Sequence, residues 1–309
     1  MRGLHIVGVH GIRQGAGATT EVLSDAWRTT LASAPEPPGG PLWSGPAGVA
    51  VTVPSYQGVF PRTRTRFIRL GPDEPEETET GPVGEEEETF ILEALAAYSP
   101  SALVAEAGAL ADGGEDRLAS AGTLGEEDRL TPRIRRRARA VNRVEGKGVT
   151  GRLLWIVREA HTYLREPGVG AAVRATVREA LLRDDTAMVI AHSLGSVIFY
   201  DMLSRGEVPV DRRGAPTVTT LVTCGSPLRW LAVREGVHAA GGPLSVPDGV
   251  RWTNLYAPRD VVSRGTGLAD LADGVTDARV HNGTLRAHDV HRYLDKPVIS
   301  ECAVRARAR

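Results

Sequence analysis

One serine in the chain has the surroundings of an activated nucleophile. Residues 187–191 form an apolar run short enough for a buried strand, and it is followed by His192, Ser193, Leu194 and Gly195. Apolar residues then recur with helical spacing, at Leu194, Val197, Ile198 and Met202. This order predicts a nucleophile elbow, a strained turn between strand and helix that exposes the Ser193 hydroxyl at the sheet edge. Such a turn is crowded, so the flanking positions Ala191 and Gly195 must be small.

The backbone near this serine is expected to stabilise an oxyanion. The N–H of Leu194, directly after the nucleophile, is the first expected donor. Near the start of the chain, a predicted strand over residues 4–9 ends in His10 and Gly11. Gly11 lets the loop turn back over the sheet, so the N–H of Ile12 is expected to be the second donor. A dinucleotide site is disfavoured at this loop because the glycine spacing that it requires is missing.

A serine hydroxyl needs a base, normally a histidine that an acid orients, and in a fold with this elbow the order along the chain is Ser, Asp, His. Asp260 follows a predicted strand, residues 250–256, beyond a proline turn, and is the favoured acid. His288 follows the last predicted strand, residues 275–280, and is the favoured base, at the start of a final helix. The less favoured candidates are Asp270, Asp273 and Asp277 for the acid, and His281 and His291 for the base.

A metal site is disfavoured. His288, Asp289 and His291 have a spacing that could suggest a pair of ligands, but the sequence has no second ligand cluster to complete a site. Cys224 and Cys302 are the only cysteines and lack metal-ligand spacing. Two cysteines cannot form a disulfide framework either, which is typical of a reducing cytosol. We therefore expect no metal, no cofactor and a cytoplasmic location.

Composition and charge argue against some classes of binding partner. The chain has 309 residues, of which 41% are hydrophobic, and its formal net charge is −1. That charge argues against a general nucleic-acid binder. The N-terminus leads straight into a strand without a long apolar stretch, so we expect neither a signal peptide nor an integral membrane segment. The sequence gives no indication of protein partners.

Predicted strands alternate with predicted helices, which indicates an α/β fold with a mostly parallel, doubly wound sheet. We assign residues 1–61 and 166–309 to its core. Residues 62–165 are too long for one crossover and predict an acidic loop followed by a helical cap or lid inserted over the sheet edge. Within this insertion, residues 71–88 predict a solvated loop, and residues 133–143 a basic helix. The basic helix is interpreted as a solvated face; the alternatives are pairing to residues 85–88 and contact with an anionic substrate or membrane surface.

Five segments together resemble the α/β-hydrolase superfamily, and most closely its bacterial lipase/esterase-like serine hydrolases. They are residues 9–11, 191–196, 224–228, 254–262 and 288–294. The resemblance does not extend over residues 62–165. It implies Ser193 as nucleophile, Asp260 as acid and His288 as base. It also implies backbone donors at Ile12 and Leu194, supported by His10, Gly11 and Gly195.

The implied activity is hydrolysis of a carboxylic ester, lipid-like or a small molecule, through an acyl-enzyme and without a cofactor. A thioesterase or an acyltransferase with the same triad is the first alternative. A non-catalytic interaction protein on a hydrolase scaffold is an alternative of another class, since a fold alone does not fix a function.

Overall fold

The structure, a computed structural model, describes residues 3–11, 17–37, 42–43, 48–60, 83–111, 130–146, 149–183, 185–238, 242–284 and 286–308. Over these ranges the chain forms six strands and ten α-helices. The strands are β1 Leu4–Val9, β2 Val49–Thr52, β3 Thr186–His192, β4 Thr220–Cys224, β5 Arg251–Tyr256 and β6 Val275–Arg279. The helices are α1 Thr20–Ala32, α2 Glu85–Tyr98, α3 Pro100–Ala111, α4 Pro132–Glu145, α5 Val149–Arg165, α6 Pro167–Leu181, α7 Leu194–Ser204, α8 Leu231–Val237, α9 His291–Leu294 and α10 Pro297–Arg307.

The six strands make one sheet in the order β2-β1-β3-β4-β5-β6. Every pairing in it is parallel, so the α/β class is confirmed, and the expected mostly parallel sheet is wholly parallel over the described strands. The order reverses once, because β2 lies on one side of β1 and all later strands lie on the other. In open parallel sheets, ligands bind at the carboxyl ends of the strands where the order reverses. Here that point lies between the ends of β1 and β3.

One hydrophobic core cluster lies on one face of the sheet. Alternate residues of β1 and β3 point to this face, as the two-residue period of a strand requires. They are buried against α1, α9 and α10 in a cluster that includes Leu4, Ile6, Trp27, Leu31, Met188, Ile190, Tyr293, Ile299 and Cys302. Helix α7 contacts β1 and β3, and α6 contacts β1 and α7. The sheet is thus flanked by helices, with its carboxyl edge left to the loops.

Two expectations about helices are wrong. Residues 85–88 are the first turn of α2 and not part of a loop. Four glutamates suit this turn because the helix dipole favours negative charge at an amino end. The last helix is α10, and His288 lies in a turn before α9.

The chain divides into two compact units. The first takes in residues 1–59, 166–229 and 234–309, and the second takes in residues 60–165 and 230–233. The sheet belongs to the first unit and α2 to α5 belong to the second. Whether the second unit acts as a cap stays a prediction. Among the described helices, none alone is long and apolar enough to cross a membrane, and the bent pair 85–98 and 100–107 meets that test only together.

Ion pairs between helices hold the second unit together. Glu87 of α2 accepts a hydrogen bond from Arg158 of α5 at 2.7 Å, and both side chains are less than a tenth exposed. Glu88 accepts from Thr131, the residue that caps α4, and Arg137 of α4 pairs with Glu106 of α3. The acidic first turn of α2 therefore anchors its neighbours, and part of the basic helix α4 is paired rather than solvated.

The buried pair should matter far more than an exposed pair one residue away. We expect Glu87→Gln to cost about 3–5 kcal/mol of unfolding free energy, because Arg158 is left buried without a counter-charge. Glu86→Gln should cost less than about 1 kcal/mol, because its partner Arg165 lies 3.5 Å away and Glu86 is 71% exposed. Urea denaturation of the full chain, monitored by circular dichroism, measures the unfolding free energy of both variants. Equal losses would contradict this assignment.

Candidate active site

Ser193 lies at the tip of a strained turn between β3 and α7. Its backbone has φ 54° and ψ −126°, a region that costs a residue with a side chain about 1–3 kcal/mol. Serine before a helix usually caps the free N–H groups with its hydroxyl, but the Ser193 hydroxyl makes no such bond. Its own N–H donates to the carbonyl of Cys224 at 3.0 Å. The turn therefore frees the hydroxyl for another partner.

Close packing of α7 against the end of β1 explains why this turn is strained. A β-carbon on Gly195 would lie 2.6 Å from the carbonyl carbon of Val9 and 2.8 Å from the carbonyl oxygen of His10. Real β-carbons do not approach backbone so closely, so only glycine fits. Gly11 faces the same turn, since a β-carbon there would lie 2.7 Å from that of Ser193. The expected small residue at position 195 is thus required by the contact of α7 with the end of β1.

The three predicted site residues meet in one hydrogen-bonded line. His288 Nε2 lies 2.9 Å from Ser193 Oγ, and His288 Nδ1 lies 2.9 and 3.0 Å from the two carboxylate oxygens of Asp260. An ionised carboxylate only accepts hydrogen bonds, so the proton of a neutral His288 is on Nδ1. Nε2 then carries a lone pair and accepts from the serine hydroxyl. This arrangement can remove a proton from Ser193.

Asp260 is an ionised carboxylate held almost completely out of water, since it is 1% exposed. The N–H of Val262 donates to Oδ1 at 2.7 Å, and the hydroxyl of Tyr293 donates to Oδ2 at 2.5 Å. Burial alone would raise the pKa of Asp260. The charge and hydrogen bond of His288, with the bonds from Tyr293 and Val262, overcome this and hold that pKa below its ordinary value.

The backbone of His288 is held by two side chains from elsewhere in the unit. Nε2 of His192 lies 2.8 Å from the carbonyl oxygen of His288, and Nδ2 of Asn282 donates to the carbonyl of Ala287 at 2.9 Å. Since a carbonyl only accepts, His192 carries its proton on Nε2. Burial, reinforced by the charge of His288, lowers the pKa of His192 to about 3. His192 is therefore a neutral donor beside the base.

The loop after β1 is held by a second buried histidine. Nδ1 of His10 donates to the carbonyl of Gly11 at 2.6 Å. The His10 ring stacks on Tyr56 at 4.0 Å, and the Tyr56 hydroxyl donates to the carbonyl of His10. Leu194 is the first residue of α7, so its N–H has no acceptor within that helix. Ile12, the other predicted oxyanion donor, lies outside the described residues.

Three of the less favoured candidates, Asp270, Asp277 and His291, bond to residues other than Ser193, Asp260 and His288. His291 Nδ1 is 2.6 Å from the hydroxyl of Thr30, and His281 is exposed. Asp270 pairs with Arg229 at 2.7 Å, while Asp277 accepts N–H groups from Leu268 and Ala269 and the side-chain amide of Asn254. Asp289 pairs with Arg286 and also accepts the N–H of His291. His288, Asp289 and His291, whose spacing could suggest metal ligands, thus each contact a different side chain.

Sequence reasoning missed two residues of this site. Tyr293 lies five positions after His288, where nothing in the sequence distinguishes it from a core aromatic residue. Gly225 follows β4 with φ 54°, and a β-carbon there would lie 2.6 Å from Asp260 Oδ2 and 3.0 Å from His288 Nδ1. A signal for Gly225 existed in the Gly-Ser-Pro sequence at the end of a predicted strand, a common mark of a turn with positive φ.

No family model, curated protein or solved structure matches the chain. Any functional assignment therefore depends on the residues of the site. Within the described ranges there is no group of three or more His, Cys, Asp or Glu side chains arranged to hold a metal ion.

Acid should destabilise the fold through three buried histidines whose pKa values are lowered. Burial lowers the pKa of His5 and that of His10 to about 4, and that of His192 to about 3, from an ordinary 6.5. Between pH 6.5 and these values the unfolded chain binds protons that the folded chain does not. Stability present above pH 6.5 is therefore lost as the pH falls, by up to about 1.4 kcal/mol per pH unit for each histidine.

Urea denaturation between pH 7.5 and 4.5 measures this slope. His192→Gln, which keeps a donor for the carbonyl of His288, should reduce the slope by about one proton. His281→Gln, at an exposed position, should leave it unchanged. If His192→Gln and His281→Gln have the same slope as the unmodified chain, His192 is not a buried neutral histidine.

Proposed function

We propose that this protein is a serine hydrolase of the α/β-hydrolase type, which cleaves a carboxylic ester through an acyl-enzyme. One observation carries the proposal, the hydrogen-bonded line from Ser193 Oγ through His288 to Asp260. The distances from Ser193 Oγ to His288 Nε2 and from His288 Nδ1 to Asp260 Oδ1 are both 2.9 Å, within the reach that a catalytic base requires. The strained backbone of Ser193 supports the same proposal, because strain at a nucleophile turn serves to present the hydroxyl.

The order of the groups along the chain supports the assignment to this fold. Ser193 follows β3, Asp260 follows β5 and His288 follows β6. Nucleophile, acid and base occur in this order in α/β-hydrolases, with the acid and the histidine on loops after later strands. The site also lies at the reversal of strand order, where open parallel sheets bind their ligands.

The proposed reaction has two halves. Ser193 Oγ attacks the acyl carbonyl carbon while its proton passes to His288 Nε2, and the electron pair of the C=O bond moves to oxygen. The N–H of Leu194, and that of Ile12 by prediction, donate to this oxyanion. When the C=O bond re-forms, the bond to the alcohol oxygen breaks, and His288 gives its proton to the leaving group. The ester is thus converted to an acyl-enzyme and a free alcohol.

Water completes the cycle. His288 Nε2 takes a proton from the water as its oxygen attacks the acyl-enzyme, and returns that proton to Ser193 Oγ as the carboxylic acid leaves. Asp260 keeps the proton of neutral His288 on Nδ1 and stabilises the imidazolium that forms in each half. Each of these proton transfers is carried by a group of the chain itself. The acyl chain and the alcohol stay predictions, and a thioester in place of the ester would pass through the same steps.

Covalent labelling tests the nucleophile. A fluorophosphonate probe should label the protein, and Ser193→Ala should abolish labelling because the probe reacts only with an activated serine. Ser204→Ala is the matched control: its hydroxyl bonds to the carbonyl of Tyr200 within α7, away from His288, and its labelling should be unchanged. A folded wild-type protein that neither takes the label nor hydrolyses a panel of p-nitrophenyl esters and acyl thioesters would favour a non-catalytic interaction protein.

Two histidines near the end of the chain, His288 in a turn and His291 at the start of α9, distinguish the base from a residue outside the site. His288→Ala should lower kcat/KM for p-nitrophenyl butyrate by about 10²–10⁴-fold or more, because Ser193 loses the group that takes its proton. His291→Ala should retain most of the activity, since His291 contacts Thr30 rather than the site. Melting curves establish that both variants fold. The reverse result, with His291 essential and His288 dispensable, would overturn the assignment of the base.

A further inference from the structure

We infer that Tyr293 is a positioning residue for the proposed reaction, and that its hydroxyl, through Asp260, restrains the basicity of His288. The inference rests on the proposed function and deepens it. Tyr293 does not touch the position of the reacting atoms. It acts on the carboxylate that orients the base, from the short helix α9 that follows the base along the chain.

Tyr293 and His288 both form hydrogen bonds to the carboxylate of Asp260. Its hydroxyl donates to Oδ2 of Asp260 at 2.5 Å, and His288 Nδ1 lies 3.0 Å from that same oxygen. The other oxygen, Oδ1, receives the N–H of Val262 and the second contact of His288. The two donors besides His288 therefore divide the carboxylate, one on each oxygen.

Tyr293 is a fixed donor. It is completely buried, its ring packs 6.0 Å from that of His192, and the N–H groups at both Tyr293 and Leu294 bond to the carbonyl of Val290. Burial and the negative charge of Asp260 raise the pKa of Tyr293 far above its ordinary value, so the phenol keeps its proton. A neutral phenol beside a carboxylate can only donate to it.

The sign of the effect on His288 follows from electrostatics. The positive end of the Tyr293 O–H dipole faces Asp260 and offsets part of the negative potential at His288. Without that hydroxyl, the carboxylate acts more strongly on the imidazolium and stabilises it further. The base then loses its proton only at a higher pH. The acid limb of the pH profile, where kcat/KM rises as the base loses its proton, therefore moves to higher pH.

The other ionisable groups around this cluster keep one state over the working range. Burial lowers the pKa of His192 to about 3 and that of His10 to about 4, so both are neutral. Burial raises the pKa of the Cys224 thiol, which therefore stays protonated. Ser263, the remaining polar group beside Tyr293, does not titrate. The acid limb thus belongs to the coupled pair Asp260 and His288.

The experiment compares pH profiles of kcat/KM for p-nitrophenyl butyrate between pH 5 and 9. Tyr293→Phe should move the acid limb upward by about 0.5–1 pH unit. It should also lower the plateau roughly threefold to tenfold, the range expected for one hydrogen bond. Tyr200→Phe is the matched control, a buried tyrosine whose hydroxyl accepts the N–H of Ser245 at 3.1 Å. Its acid limb should coincide with that of the wild type.

A merely structural role for Tyr293 would lower the melting temperature and the amplitude while leaving the limb in place, and that result would overturn the inference. If Tyr293→Phe does not fold, 3-fluorotyrosine is introduced at position 293, because it is a stronger donor of nearly the same shape. It should move the acid limb to lower pH. An acid limb at the wild-type pH would again overturn the inference. A folded wild type without fluorophosphonate labelling or hydrolysis would instead refute the proposed function, which keeps the two failures distinct.

Discussion

The site depends on one buried negative charge. An ionised carboxylate removed from water is costly by several kcal/mol unless hydrogen bonds replace the lost solvent. Asp260 obtains those bonds from Val262 two residues on, from His288 after β6, and from Tyr293 in α9. Two segments of the chain, residues 260–262 and 288–293, must therefore meet at one carboxylate. The position of His288 opposite Ser193 is a consequence of this convergence, because the histidine is held at Nδ1 and its other nitrogen is left facing the serine.

A second constraint comes from the reversal of strand order. The ends of β1 and β3 are adjacent and α7 starts between them, so the first turn of the helix is pressed against the carbonyls of Val9 and His10. Gly195 accommodates that contact, and the unusual backbone of Ser193 is the turn that leads the chain into it. The same contact leaves the Leu194 N–H at a free helix end, where the dipole favours negative charge. The same packing contact thus leaves the Ser193 hydroxyl free to bond to His288 and places an N–H donor beside it.

The sequence predicted well what depends on local pattern. Alternation of apolar runs with helical spacing predicted β1, β3, β5, β6 and the α/β class. The order of Ser193, Asp260 and His288 after successive strands picked out three side chains that meet in space. It failed where a contact joins distant positions. Tyr293 lies 33 residues from Asp260, so their hydrogen bond leaves no local trace in the sequence. The helical turn at 85–88 was missed because its stabilising arginines lie in other helices.

A site with three histidines raises the question of which ring carries the proton, and here their surroundings separate them. His10 and His192 are enclosed by protein and each donates its single proton to a backbone carbonyl, an arrangement that suits a neutral ring. His288 is partly open to solvent and has a carboxylate behind it, so its positive form alone is stabilised. Because His10 and His192 are neutral, they do not repel the positive charge of His288 when it is protonated. The crowding of histidines is therefore compatible with one base, and it confines the gain and loss of a proton to the nitrogen that faces Ser193.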